Sequence, residues 1–171
     1  MVRIRIGIVA LGKGVNPTVI QEIRKEIRKT FDVPVEILEQ KEIPLAAFNK
    51  FRDQYISDLL LEYLDKNVPA ISLGVTNADL YTKGMNFIFG QAKLNRAAIV
   101  SFNRLTQTTG IRANDKQILD RVVKESIHEL GHVLGLNHCK TKGCIMTEAI
   151  NVKDVDVKGK EFCHMCSIQL K

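Results

Sequence analysis

The stretch HELGHVLGLNHC, from His128 to Cys139, holds three of the chain's four histidines within eleven residues. Histidines four apart, as at 128 and 132, share one helix face: they differ by about 40° around the axis and by one turn along it. Both imidazoles can therefore reach one ion. Gly135 falls just past the second histidine, where glycine accepts the left-handed conformation that stops a helix and turns the chain sharply. That turn can bring His138 back to the same point. The stretch asks for a helix that ends abruptly beside a metal.

A histidine pair alone reads better as two polar residues on a solvated stripe. Glu129 makes the pattern HExxH, which ordinary residue frequencies produce in roughly one chain in 250 of this length. Adding Gly135 and His138 lowers that to on the order of one in 10⁵. The chemistry suits each position. Neutral ring nitrogens bind zinc at about 2.0–2.1 Å, and three protein ligands leave one position open, as in catalytic sites. Water in the open position has its pKa lowered towards about 7. Glu129 adjoins a ligand and can take that water's proton and pass it to a leaving amine.

Beyond about residue 137 the helical and strand periodicity fades, and all four cysteines follow. Cys139, Cys144, Cys163 and Cys166 form CX4C and CX2C pairs, spacings that suit a closed tetrahedral zinc site. Two disulfides are the alternative, as is a site that borrows His138 or His164. His138 is better used on the catalytic ion, and His164, between two cysteines, is expected to face solvent. The N-terminus MVRIRIGIVALG alternates arginine with Val2, Ile4, Ile6 and Ile8, which is strand periodicity and not an export signal. A cytoplasmic, reducing location follows as the expectation, and it favours metal ligation over disulfides.

The rest of the chain places these groups. Asn16-Pro17 starts a helix whose stripe is Val19, Ile20, Ile23 and Ile27. Segments 33–38, 70–76, 86–92 and 96–102 read as strands, the last two close enough to pair. Phe48, Phe51, Tyr55, Ile56, Leu59, Leu60 and Tyr63 recur at helical spacing. Asn114 and Gln117 resemble a capping box for the histidine-bearing helix, whose apolar side is Ile118, Leu119, Val122, Val123, Ile127, Leu130 and Leu134. Arg121 and Glu125 fall on the histidine side, two turns and one turn earlier. Strands and helices alternate early and strands follow strands later. An α/β fold with a mixed twisted sheet, parallel at first with an antiparallel edge strand, is therefore expected.

The extended zinc motif resembles that of the metzincin metalloproteases, HExxHxxGxxH. Downstream the resemblance narrows to the archaemetzincin family: CX4CXM over Cys139, Cys144 and Met146, then CXXC over Cys163 and Cys166. The spacer Thr147 to Phe162 is one residue shorter than in the family pattern, a difference that falls in a loop. The resemblance implies a zincin-type fold, with His128, His132 and His138 as ligands of a catalytic zinc and Glu129 as general base. It implies Met146 in the Met-turn, a hydrophobic floor beneath the imidazoles. It also marks GVTNADLY and NFIFGQA as family segments, the second an edge strand along which a substrate peptide would lie.

One domain over residues 1–171 is expected, an α/β subdomain (1–137) ending in the active-site helix and a Cys-rich, zinc-stapled, irregular subdomain (138–171). Its activity would be that of a zinc metallopeptidase, holding two ions, one catalytic and one structural. Its partner would be a peptide or protein substrate. No apolar run is long enough to span a membrane. The alternatives are a zinc-stapled binding module, with nucleic acid as its ligand, and a hydrolase of non-peptide amides. Nucleic acid is disfavoured. The formal charge of +6 permits an acidic partner without requiring one. Basic Arg24, Lys25, Arg28 and Lys29 alternate with Glu22 and Glu26 as on a solvated helix face, and tryptophan is absent. Lys140, Lys142, Lys153, Lys158 and Lys160 around the cysteines are what keep the idea open.

Overall fold

The structure is a computed structural model that describes residues 4–68, 70–107 and 113–170. Its centre is a five-stranded sheet in the order β2-β1-β5-β8-β7. Strands β1 (Ile6–Leu11), β2 (Val35–Ile37), β5 (Ile71–Thr76) and β8 (Ala97–Ser101) run parallel, and β7 (Gly90–Lys93) pairs antiparallel with β8 at one edge. The mixed sheet with an antiparallel edge is as the pattern predicts. The N-terminal strand begins at Ile6, and positions 1–3 of its alternation lie outside the described residues.

Side chains alternate across the sheet with period two. Ile6 and Ile8 of β1 face a core shared with helices α1 (Pro17–Phe31) and α3 (Asp115–Val133). Val9 and Leu11 face the second core, under α2 (Ser57–Asn67). Burial on both faces is why the central strands read as unbroken apolar runs. α1 starts where expected: the Asn16 side chain accepts from the Thr18 N–H at 2.9 Å, with Pro17 at the first helical position. α3 carries its full capping box. Asn114 accepts from the Gln117 N–H, and Gln117 accepts from the Asn114 N–H.

Three segments differ from the sequence expectation. The apolar spacing from Phe48 yields a helix only from Ser57. Before it come short strands β3 (Phe48–Asn49) and β4 (Gln54–Ile56), with β6 (Leu80–Tyr81) beside β4. Polar side chains there build a turn: Asn49 accepts from the Phe51 N–H, and Asp53 takes a positive φ of 53°. Phe51 is left exposed. In 86–92 only the last residues join a strand, and Ile88 meets Leu80 in an isolated bridge. The Cys-rich segment is irregular except for two short helices, α4 (Val152–Val157) and α5 (His164–Gln169).

α4 is clamped to α3 by buried charge. Arg121 is 1% exposed and forms a two-pronged pair with Asp156, both contacts 2.7 Å, while its remaining nitrogen donates to the Leu105 and Gln107 carbonyls. Lys124 donates to the Val155 and Asp156 carbonyls at the end of α4. The Arg121 side chain, on the histidine side of the helix two turns earlier, thus points to α4. Removing one partner of such a pair strands a buried charge. Asp156→Ala should lower stability by about 2–3 kcal/mol, Asp156 itself being part-exposed. Urea unfolding of the zinc-loaded chain measures it, with the slope unchanged if the native fold survives.

Candidate metal centre and catalytic cleft

The three histidines converge. His128 and His132 project from consecutive turns of α3, and Gly135, at a φ of 98°, reverses the chain after them. Ring centroids lie 4.6 Å apart for His128–His132, 5.3 Å for His128–His138 and 4.8 Å for His132–His138. The tautomers follow from what each Nδ1 touches. His128 Nδ1 is 2.9 Å from the Ile145 carbonyl, and His132 Nδ1 is 2.7 Å from the Leu136 carbonyl. A carbonyl oxygen only accepts, so both Nδ1 atoms carry hydrogen and donate. The two Nε2 atoms then face each other as bare lone pairs at 3.1 Å.

That arrangement is the test of fit for a metal. Nitrogens about 2.05 Å from one tetrahedral centre stand about 3.3 Å apart, close to what is found. Burial lowers the pKa of His128 to about 2, with the Lys158 ammonium adding to it, and lowers that of His132. Both rings are therefore neutral and ready to ligate.

Glu129 lies beside them, 6% exposed. Its carboxyl is pushed up to about 8, first by burial and then by the neighbouring Glu125, with Lys158 acting the other way. Space for it comes from β7: a Cβ added at Gly90 would lie 2.6 Å from Glu129 Cγ and 2.8 Å from its Oε1. Met146 is fully buried under α3, and a Cβ at Gly131 would come within 2.5 Å of its sulfur.

The four cysteines form a second cluster. Cys139 and Cys163 sulfurs are 3.8 Å apart, as are those of Cys144 and Cys166. Disulfide sulfurs would be at about 2.05 Å, so all four are free thiols. Tetrahedral sulfurs about 2.3 Å from one centre stand about 3.8 Å apart, so this donor set fits zinc as well. The Cys166 backbone N–H draws the Cys163 thiol down to about 6, while burial pushes that of Cys166 up. His164 is exposed and apart, as expected.

Both clusters hang on the short run Cys144-Ile145-Met146. Cys144 supplies a sulfur, Ile145 the carbonyl that orients His128, and Met146 the support under Gly131. The Met146 carbonyl accepts from the N–H of Cys139, the residue after His138.

Two contributors were not singled out from sequence. Gly90 sits inside NFIFGQA, and nothing local marks it as the residue that clears room for Glu129. In the sequence Lys158 is one of several lysines around the cysteines. It is buried and paired with Glu125 at 2.5 Å. No local pattern joins residues 33 positions apart.

Lone pairs turned on one point beside a buried carboxyl define a zinc-dependent metallopeptidase, an enzyme that hydrolyses peptide bonds. The comparisons agree and are more particular. The family model described as Peptidase family M54 matches residues 2–171, and the chain belongs to that family. It is 39% identical to the archaemetzincin of Archaeoglobus fulgidus over 92% of this chain and 94% of that one. The crystal structure of that organism's archaemetzincin covers 97% of this chain and 99% of its own, with a TM-score of 0.84 and 38% identity. A zinc-dependent peptidase from Methanocorpusculum labreanum matches with a TM-score of 0.85 at 31% identity, over 96% of this chain and all of that one. A binding module is not favoured. Among the described residues no helix is long and apolar enough to cross a membrane.

Gly90→Ala tests the close approach of β7 to Glu129. The new methyl should displace the carboxyl, and peptide hydrolysis should fall on the order of 10²-fold. Zinc content and thermal stability should change little, as metal analysis and a melting curve would show.

Proposed function

We propose that the chain cleaves peptide bonds by attack of water in the three-histidine cleft, with Glu129 as general base. The observation that carries this reading is the pair of neutral Nε2 lone pairs facing each other at 3.1 Å beside a buried carboxyl. Zinc held by His128, His132 and His138 would supply Lewis-acid polarisation of the water and of the scissile carbonyl. Glu129 takes a proton as the water oxygen bonds to the carbonyl carbon. It then gives that proton to the amine nitrogen as the carbon–nitrogen bond breaks. Met146 supports the helix under the imidazoles as an apolar floor. The substrate backbone lies antiparallel along β7, whose outer edge offers main-chain hydrogen bonds.

Cys139, Cys144, Cys163 and Cys166 hold a second, structural zinc. Their tetrahedral spacing and their place beside His138 support this. The chain acts as one catalytic domain, residues 1–137 carrying the sheet and the active-site helix and 138–171 closing the site from below. A reducing, cytoplasmic setting keeps the four thiols available as ligands.

Glu129→Gln keeps the shape and loses the base. Zinc should stay bound while hydrolysis falls by roughly 10²–10⁴, and undiminished cleavage would take Glu129 out of the mechanism. The two ions should also differ in how they leave. A mild chelator should remove the histidine-bound zinc first, abolishing activity with little change in the far-UV spectrum. The thiol-bound zinc should leave only under harsher chelation, and hydrogen exchange from about Cys139 onward should then accelerate, because its binding is part of folding. Simultaneous loss of both ions would argue against two separate sites.

A further inference from the structure

Beside the hydrolytic groups lies a charged pair that peptide hydrolysis does not use. Glu125 stands one turn before Glu129 on α3, its side chain 4% exposed, and lines a recess of about 150 Å³ in the cleft. Lys158, 1% exposed, enters from the end of α4 and sets its Nζ 2.5 Å from Glu125 Oε1. Neither of these two atoms has another hydrogen-bond partner among the described residues. The same recess is lined by His128, Glu129 and His138, and the rest of its wall is largely apolar. Phe87 and Phe89 form an edge-on aromatic pair at 5.4 Å on one side, and Ile150 stands 68% exposed on the other.

We propose that Glu125, held by Lys158, sets the side-chain specificity of the cleft: the substrate side chain that enters this recess has an apolar shaft and a neutral hydrogen-bond donor at its tip, as in threonine, asparagine, glutamine or tyrosine. The proposal rests on the peptidase reading above. At about 150 Å³ the recess is small and is shared with His128, Glu129 and His138, so it admits one substrate side chain at most. Lys158 occupies one carboxyl oxygen. The other keeps its capacity to accept, whichever end of the pair holds the shared proton. A purely aliphatic side chain would displace water from that oxygen and leave it unpaired, which is costly for a buried acceptor. A cationic side chain is not favoured either, because Lys158 already neutralises the carboxylate and repels a second cation. Lys158 is thus a positioning residue: it fixes Glu125 and sets the charge of the floor.

The test uses matched peptides that differ at one residue beside the scissile bond: threonine against valine, asparagine against leucine, glutamine against methionine, tyrosine against phenylalanine. The zinc-loaded full chain digests each pair in competition, read by mass spectrometry. The donor-bearing member should have about tenfold higher kcat/KM at one position. In Glu125→Leu/Lys158→Met, which replaces the pair by apolar groups of similar bulk, that preference should vanish or invert. Glu125→Gln/Lys158→Met keeps a neutral acceptor and should keep it. A merely structural role would alter stability in these variants without re-ranking the peptides. Equal cleavage within every pair by the unaltered chain overturns the proposal, whether or not any variant folds, as does an unchanged preference in Glu125→Leu/Lys158→Met. Failure to cleave any peptide would remove the peptidase reading itself, and this proposal with it; cleavage without discrimination removes this proposal alone.

Discussion

Two imidazole nitrogens with lone pairs 3.1 Å apart repel each other, and the chain holds them so by gripping the opposite edge of each ring. His132 donates to the Leu136 carbonyl, which the Gly135 turn has just brought round. His128 donates to the Ile145 carbonyl, 17 residues on. Those two hydrogen bonds fix both tautomers and aim both rings. Everything around them serves that grip. α3 must stop at Gly135, the chain must return under the helix, and Met146 must fit against Gly131, where an added Cβ would press on its sulfur. The sheet supports α3 from one side, and the cysteine cluster supports the returning segment from the other.

Charge is buried at the seam between α3 and α4 instead of being left on the surface. Arg121, Lys124 and Lys158 are each under 5% exposed, and each meets a carboxylate or a carbonyl of the facing segment. Apolar residues of similar size could hold the two helices together at no loss of stability. Charged ones add directionality: a guanidinium against Asp156 and two carbonyls admits one register of α4 along α3. That register puts Lys158 behind the cleft and the 148–150 segment at its mouth.

The centre of the site was legible because its determinants are local. Spacing along one helix brings His128 and His132 together, and a glycine at the right offset returns His138. The Asn114 and Gln117 caps lie three residues apart, and the buried strands announce themselves as apolar runs. Other features depend on contacts that no short window contains. The 48–56 segment reads as helix from its apolar spacing, yet Asn49 and Asp53 form a turn that overrides it. Gly90 matters because Glu129, on a different element, needs the space a Cβ would take. Lys158 resembles its exposed neighbours in the sequence, and only the arrival of Glu125 distinguishes it.

His138 and Cys139 are neighbours in the chain but belong to different clusters, and this has a bearing on biosynthesis. The two helical histidines are made first, and their helix can form as soon as the sheet has something to pack against. Beyond the turn at Gly135, the residue after His138 is anchored by the N–H of Cys139 on the Met146 carbonyl, and the Cys139 sulfur gathers with those of Cys144, Cys163 and Cys166. In order of synthesis the second cysteine pair follows all three histidines of the cleft. The last member of the cysteine cluster, Cys166, thus lies 28 residues beyond the histidine whose neighbour it helps to hold.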